Sequence, residues 1–191
     1  MSSHKKIKGY PLSHAQKRLF VLYKLEPESS FYNINYITCL NGDLNINILD
    51  KSFSYMAYRH ESLRTNFMEI DGEPIQFIHD DPIAKLEFND ISHLPEERKG
   101  AEVEKIKQNT IYRPFDLEKD PLFRLVLIKE AEDKYTLVNS IHHIICDGWS
   151  IAVFYREFSV IYNAYLKNQE PLLPDLPIQY KDYAEWESSE E

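Results

Sequence analysis

Phe123-Arg-Leu-Val-Leu-Ile-Lys129 and Tyr135-Thr-Leu-Val-Asn-Ser-Ile141 are two apolar runs of strand length, joined by a link containing Ala131-Glu-Asp-Lys134. So short a polar link predicts antiparallel neighbours. The second run leads directly into His142-His-Ile-Ile-Cys-Asp-Gly-Trp-Ser150. Beyond it, Trp149, Val153, Phe154, Phe158, Ile161, Tyr162 and Tyr165 recur at helical spacing as a wide apolar stripe expected in the core. The chain therefore passes from strand, through a short loop, into a long helix. Strand ends that feed loops hold reactive side chains rigidly while leaving them open to a substrate.

Working outward, helix and strand alternate. Ser13 is placed to cap a helix running to about Leu25, with Pro11 ahead of it and Pro27 just beyond. Tyr36 to Leu40 predicts a strand that closes at the turn dipeptide Asn41-Gly42. Leu49, Phe53, Met56 and Ala57 follow at helical spacing. Phe67 to Ile70 and Ile75 to Ile78 flank Asp71-Gly72 as a β-hairpin. The charged segment from about Pro95 to Ile111 predicts a helix with a solvated face. This alternation predicts an α/β (α+β) sandwich. Pro171, Pro174 and Pro177 then break regular structure and predict an extended connection, dividing the chain into 1–170 and 171–191.

Composition narrows the function. A chain of 191 residues, 43% hydrophobic, can bury one well-packed core. With 22 Lys plus Arg against 31 Asp plus Glu, the formal net charge is -9. No basic cluster is present to hold nucleic acid or an anionic membrane, so neither is expected as a partner. No apolar run approaches the roughly 20 residues of a membrane span. The basic start, Met1 to Gly9, is followed by no apolar segment of the kind a signal peptide needs. Cys39 and Cys146 offer neither metal-type spacing nor a disulfide framework, which fits a cytoplasmic protein.

In an extended strand His142 and His143 point to opposite faces, so they cannot easily share a metal; no metal site is expected. One imidazole is then free for proton transfer or hydrogen bonding to a nucleophile, because the group titrates near neutrality. The other packs inward. Asp147 can orient the imidazole, as in a triad, or pair with an Arg and hold the loop. Gly148 permits a positive φ and close approach of a substrate. Ser150 lies in no Gly-x-Ser-x-Gly elbow. The site reads as a base or positioner without its own nucleophile, the substrate supplying the attacking atom.

Several stretches together resemble the condensation domains of nonribosomal peptide synthetases. Leu12-Ser-His-Ala-Gln-Lys-Arg-Leu-Phe20 is similar to their opening motif and Arg59-His-Glu-Ser-Leu-Arg-Thr-Asn-Phe67 to their second. His142-His-Ile-Ile-Cys-Asp-Gly-Trp-Ser150 resembles their active-site motif, and Tyr180-Lys-Asp-Tyr-Ala-Glu-Trp186 the motif after it. Arg113-Pro-Phe-Asp-Leu and Pro121-Leu-Phe-Arg124 also fit. The matches run in order along the chain.

The resemblance implies a lobe like that of a chloramphenicol acetyltransferase, with a mostly antiparallel mixed sheet flanked by helices. It covers the N-terminal lobe only, so residues 171–191 become an inter-lobe connection and the start of the next segment, and the chain a piece of a multidomain synthetase. It further implies amide-bond formation between donor and acceptor thioesters carried on 4'-phosphopantetheine arms, with no cofactor bound by this lobe. The implied partners are the C-terminal lobe, donor and acceptor carrier domains and an adenylation domain.

His143, the second His of the motif, would position or deprotonate the amine, and His142 would support the loop. Asp147 would pair with an Arg of the second motif, Arg59 being preferred over Arg64. Gly148 would border the tunnel, with Gln16, Arg18, Trp149 and Ser150 as further tunnel residues. The Gly-Trp-Ser ending fits peptide-bond-forming members, and both histidines stand where heterocyclising members carry Asp. The short stretch before the first motif fits the starting end of a synthetase. The competing expectations are a stand-alone acyltransferase using coenzyme A and a non-catalytic carrier-docking module.

Overall fold

The computed structural model describes residues 9–82 and 84–189. The basic stretch Met1–Lys8 and the acidic end at Glu190–Glu191 lie outside them. The elements, in order, are β1 (Gly9–Pro11), α1 (His14–Leu25), β2 (Asn33–Asn41), α2 (Ile46–Arg59), β3 (Thr65–Ile70), β4 (Glu73–Ile78), β5 (Leu86–Asp90), α3 (Glu96–Ile111), β6 (Phe123–Ala131), β7 (Lys134–His142), α4 (Gly148–Leu166) and α5 (Tyr180–Ser189). Single 3-10 turns at Glu61–Arg64 and His143–Ile145 follow α2 and β7.

The larger sheet has the order β2-β7-β6-β5, parallel only between β5 and β6; a smaller antiparallel sheet has the order β1-β4-β3. This is the mixed, mostly antiparallel sandwich expected from the sequence. The apolar runs of β6 and β7 are continuous because both faces of the sheet are covered. Tyr135, Leu137 and Ile141 face a core shared with Phe53, Met56, Phe123, Phe154 and Ile161. Val126, Ile128 and Val138 face the other way, under Val103 and Ile106 of α3.

Ser13 and Gln16 close the start of α1 as a capping box, Ser13 Oγ accepting from Gln16 N at 3.2 Å and Gln16 Oε1 from Ser13 N at 3.0 Å. Strand β2 runs longer than Tyr36 to Leu40, because β7 pairs with it residue by residue from Asn41 back to Asn33. Its polar start hides that extension from a hydrophobicity reading. The apolar stripe of α4 is also revised. Trp149 is 80% exposed, and Glu157 occupies the buried face instead.

Residues 171–189 dock onto this lobe. Tyr180 Oη and Ser13 Oγ are 3.0 Å apart, His14 N donates to Glu187 Oε2 at 2.6 Å, and Lys181 Nζ meets Glu61 Oε2 at 2.5 Å. Ala184, on the inner face of α5, is fully buried.

The segment between α3 and β6 is held by two buried polar side chains. Arg124 lies 3.6 Å over the Phe115 ring and donates to the carbonyls of Arg113 (2.7 Å) and Pro114 (2.5 Å) and to Asp120 Oδ2 (3.2 Å). Burial, with the Arg113 charge nearby, lowers its pKa to about 10, so it stays cationic at neutral pH. Asn66 donates to the carbonyls of Leu117 (2.9 Å) and Asp120 (2.8 Å). Replacing Arg124 with Met keeps the bulk but strands two carbonyls, at ~1–3 kcal/mol for each buried group left unpaired. Urea unfolding is expected to show a loss of at least ~2 kcal/mol. Lys119→Met, on an exposed ion pair, is expected to change stability by less than ~1 kcal/mol.

Candidate active site

Two hydrogen bonds fix the backbone where β7 ends. His142 N donates to Leu122 O at 3.0 Å and His143 N to Tyr32 O at 2.9 Å. The chain then turns because His142 Nδ1 accepts from Ile144 N at 3.1 Å, capping the 3-10 turn with a side chain. His142 is 5% exposed, with Phe115 and Tyr32 as ring neighbours at 6.0 and 6.5 Å. Burial, then the His143 and Arg124 charges, push its pKa down to about 4, so the ring is neutral at physiological pH. With Nδ1 accepting, its proton sits on Nε2.

His143 has already left the strand and is exposed. Among the described residues its imidazole has no hydrogen-bond partner. The two histidines are thus divided between an inner and an outer role, as strand alternation suggests. Among the described residues no three His, Cys, Asp or Glu gather to hold a metal ion.

The expected pairing of Asp147 with Arg59 or Arg64 does not form, and neither does a triad contact with His143. Asp147 instead caps α4: its Oδ1 accepts from Ser150 N at 2.8 Å and from Ser150 Oγ at 2.6 Å. These two bonds hold its carboxyl below the usual range. The N-terminus of a 19-residue helix favours that negative charge.

Arg59 reaches a different carboxylate. Its Nε donates to Glu157 Oε2 at 3.0 Å, the same oxygen that lies 2.8 Å from His60 Nε2. Arg59 also donates to Pro174 O at 2.5 Å, tying the proline-rich segment to the lobe. Arg64 donates to His79 O and lies 3.7 Å from Glu61. Burial opposes ionisation of Glu157, but the Arg59 and His60 contacts overcome it and lower its pKa.

A cavity of about 390 Å³ brings together Gln16, Arg18, His143, Asp147 and Ser150, with Tyr32, Ser62, Cys146 and Tyr180 on its walls. Gln16 is buried and also donates to Ile144 O at 3.4 Å, linking α1 to the turn that carries His143. Arg18 is exposed at the wall. Gly148 does not take a positive φ, which among the described glycines falls at Gly42 and Gly72; a Cβ added at Gly148 would meet only open space. Trp149 lines a second, apolar cavity of about 170 Å³ that shares Ser62, Ile145, Cys146 and Ser150 with the first.

No side chain in the larger cavity is activated as a nucleophile. Burial and the Asp147 charge push the Cys146 thiol up to about 12. The Ser150 hydroxyl donates to Asp147, not to an imidazole. The arrangement presents one free imidazole to an open cavity.

Sequence reading missed Tyr32, Ser62, His60 and Glu157. A carboxylate on the inner face of an otherwise apolar stripe was the available signal for Glu157. Tyr32 and Ser62 carry no signal apart from the fold that brings them in.

Against known proteins, the condensation domain model matches residues 6–191. A linear gramicidin synthase of Brevibacillus parabrevis is 41% identical over 177 residues, 93% of this chain and 3% of that protein. A plipastatin synthase of Bacillus subtilis (strain 168) is 40% identical over 179 residues, 93% of this chain and 6% of that protein. The crystal structure of the starter condensation domain of rhizomide synthetase superposes with a TM-score of 0.86 at 22% identity, covering 96% of this chain and 44% of that one. The X-domain in complex with OxyB from teicoplanin biosynthesis superposes at 0.79 and 26%, covering 99% and 39%.

The buried histidine makes the fold acid-sensitive. Unfolded, His142 takes up a proton at its ordinary value of 6.5; folded, it resists until about 4. Between these values the unfolded state binds more protons, so stability falls as pH drops, by roughly 3 kcal/mol at about 1.4 kcal/mol per pH unit. Chemical unfolding at pH 7, 5 and 4 is expected to show this drop. In His142→Asn, whose amide oxygen can still accept from Ile144 N, the drop over this window is expected to shrink by more than half.

Proposed function

This chain belongs to the condensation-domain family, and from that premise we propose that it is the first lobe of an acyltransferase that joins two thioester-borne substrates through a peptide bond. The observation that carries the reading is the exposed, unpartnered His143 imidazole in a cavity of about 390 Å³ whose own hydroxyl and thiol are not activated. Such a site serves a reaction in which the substrate brings its own nucleophile. The acceptor's α-amine attacks the donor thioester carbonyl, forming the new C–N bond. His143 accepts a hydrogen bond from that amine and orients it, or takes its proton as the bond forms. The C–S bond then breaks, the leaving thiolate takes up a proton, and the amide remains.

General-base action contributes about 10²–10⁴-fold. Holding two tethered reactants in contact supplies effective molarities of about 10⁵–10⁸ M, so placement counts for as much as proton transfer. In this reading the substrates arrive on the phosphopantetheine arms of donor and acceptor carrier domains, loaded by adenylation domains. A second lobe supplies the facing wall of the cavity, and residues 171–189 lead toward it. The extent of the solved relative, of which this chain covers 44%, supports that arrangement. Arg59, Arg64, His142 and Asp147 serve as support.

His143→Ala in a full two-lobed enzyme is expected to lower dipeptide formation by about 10²–10⁴-fold, with the unfolding midpoint unchanged because the side chain is exposed. Product formation would be followed by mass spectrometry from two loaded carriers. Undiminished yield from the variant would overturn the role of His143. The 191-residue chain alone is expected to fold but to form little product; robust turnover by it would overturn the need for a second lobe.

A further inference from the structure

Acyl transfer makes a demand on the larger cavity that His143 alone does not meet. When an amine adds to a thioester carbonyl, the C=O π pair moves onto oxygen, and a hydrogen-bond donor fixed in advance at that oxygen stabilises the charge. Most polar groups on the cavity wall are already committed. The Gln16 amide bonds Ser13 N and Ile144 O, and the Ser150 hydroxyl bonds Asp147. The Cys146 thiol meets Asp147 O, and the Tyr180 hydroxyl lies 3.0 Å from Ser13 Oγ. Arg18 is exposed, where water screens its charge. Tyr32 and Ser62 also line the cavity, and neither hydroxyl has a hydrogen-bond partner among the described residues.

Tyr32 is the better placed of the two. Its carbonyl accepts from His143 N at 2.9 Å, one step beyond the Asn33–His142 pair of the β2–β7 ladder, so it stands beside His143. The next residue is anchored: Asn33 N donates to Ser30 O at 3.0 Å, and Asn33 Nδ2 to the carbonyls of Ile111 (3.1 Å) and Arg113 (3.0 Å). The half-buried Tyr32 ring packs edge-on to Phe31 at 5.3 Å and lies 6.5 Å from the His142 ring. The phenol is thus held in place before a substrate arrives, as an oxyanion donor must be. Ser62 belongs to the 3-10 turn after α2 and is shared with the apolar cavity.

We propose that Tyr32 is a second catalytic residue, its hydroxyl donating to the carbonyl oxygen of the donor thioester and holding the negative charge that develops there. The inference rests on the peptide-bond-forming reading above and adds a residue to it. The tyrosine keeps its proton throughout. The amine's lone pair forms the C–N bond while the π pair goes to oxygen. The C–S bond then breaks with its pair on sulfur, the oxygen's pair re-forms C=O, and the proton lost by the amine ends on the leaving thiolate.

Tyr32→Phe keeps the ring and removes only the hydroxyl. In the full two-lobed enzyme it is expected to lower kcat for dipeptide formation by about 10²-fold, with KM for the loaded carriers unchanged. The readout specific to the carbonyl uses a donor whose C=O is replaced by C=S, since sulfur accepts hydrogen bonds weakly. With that donor the variant is expected to lag wild type by less than about threefold, because the interaction is already lost. An equal deficit with both donors would overturn the proposal, since it would report geometry alone. So would wild-type rates from Tyr32→Phe, or a carbonyl-dependent deficit in Ser62→Ala and none in Tyr32→Phe. If the variant is less stable, the comparison of donors still decides, because loss of folded enzyme lowers both rates alike. A two-lobed enzyme that forms no amide from loaded carriers would overturn the reaction and this inference together. Wild-type rates from Tyr32→Phe beside a slow His143→Ala overturn this inference alone, and a fast His143→Ala leaves the Tyr32 result standing.

Discussion

The hydrogen bond from Ile144 N to His142 Nδ1 is the constraint on which the site depends. A strand that simply frayed at its end would leave the next imidazole free to wander. Here a buried ring stops β7 and caps the turn, while Tyr32 O takes the His143 amide. With its backbone fixed at both ends, His143 keeps only side-chain freedom. An exposed group on a fixed backbone suits orienting a reactant, because little conformational entropy remains to be lost when substrate binds. Burying His142 has a consequence in acid, and the same burial keeps its ring neutral and its Nε2 proton in place at neutral pH.

Around this turn the structure relies on polar side chains that bind backbone instead of one another. Arg124 and Asn66 gather the carbonyls of the 113–120 segment, and Gln16 reaches Ile144 O from α1. Where two charged groups do meet in a largely buried place, at Arg59 and Glu157, His60 shares the same carboxylate oxygen and Arg59 also donates to a carbonyl of the proline-rich segment. The added hydrogen bonds offset the desolvation that burial imposes on such a pair. They also join α2, α4 and the chain leading to α5, three elements distant in sequence.

Much of this was legible in the sequence, for reasons specific to each element. β6 and β7 are apolar on both faces, so length and the short link between them decided their pairing. Ser13 and Gln16 carry the capping pattern, and Asp71-Gly72 needs the positive φ that both residues take. The extension of β2 through Asn33 and Asn35 was not legible, because register with β7 and not hydrophobicity selects it. The division of labour between His142 and His143 followed from alternation, although His143 stands one residue past the strand. The partner of Asp147 was not legible. A carboxylate four residues after a histidine and three before a serine has several local partners within reach, and only the onset of α4 at Gly148 selects Ser150.

That outcome bears on how a motif is read. Of the five motif residues His142, His143, Asp147, Arg59 and Arg64, four end in bonds that shape backbone, and His143 has no hydrogen-bond partner among the described residues. The energies differ accordingly. Losing a helix cap such as Asp147 costs about 1 kcal/mol, whereas stranding one member of a buried pair such as Arg59 and Glu157 costs about 3–5 kcal/mol. An Asp147 variant therefore keeps most of the fold while loosening the start of α4, and an Arg59 variant releases the proline-rich segment as well. Loss of turnover in either would report geometry. Because the His143 side chain is exposed and makes no hydrogen bond among the described residues, an effect of its removal on rate at unchanged stability is the one that speaks to chemistry.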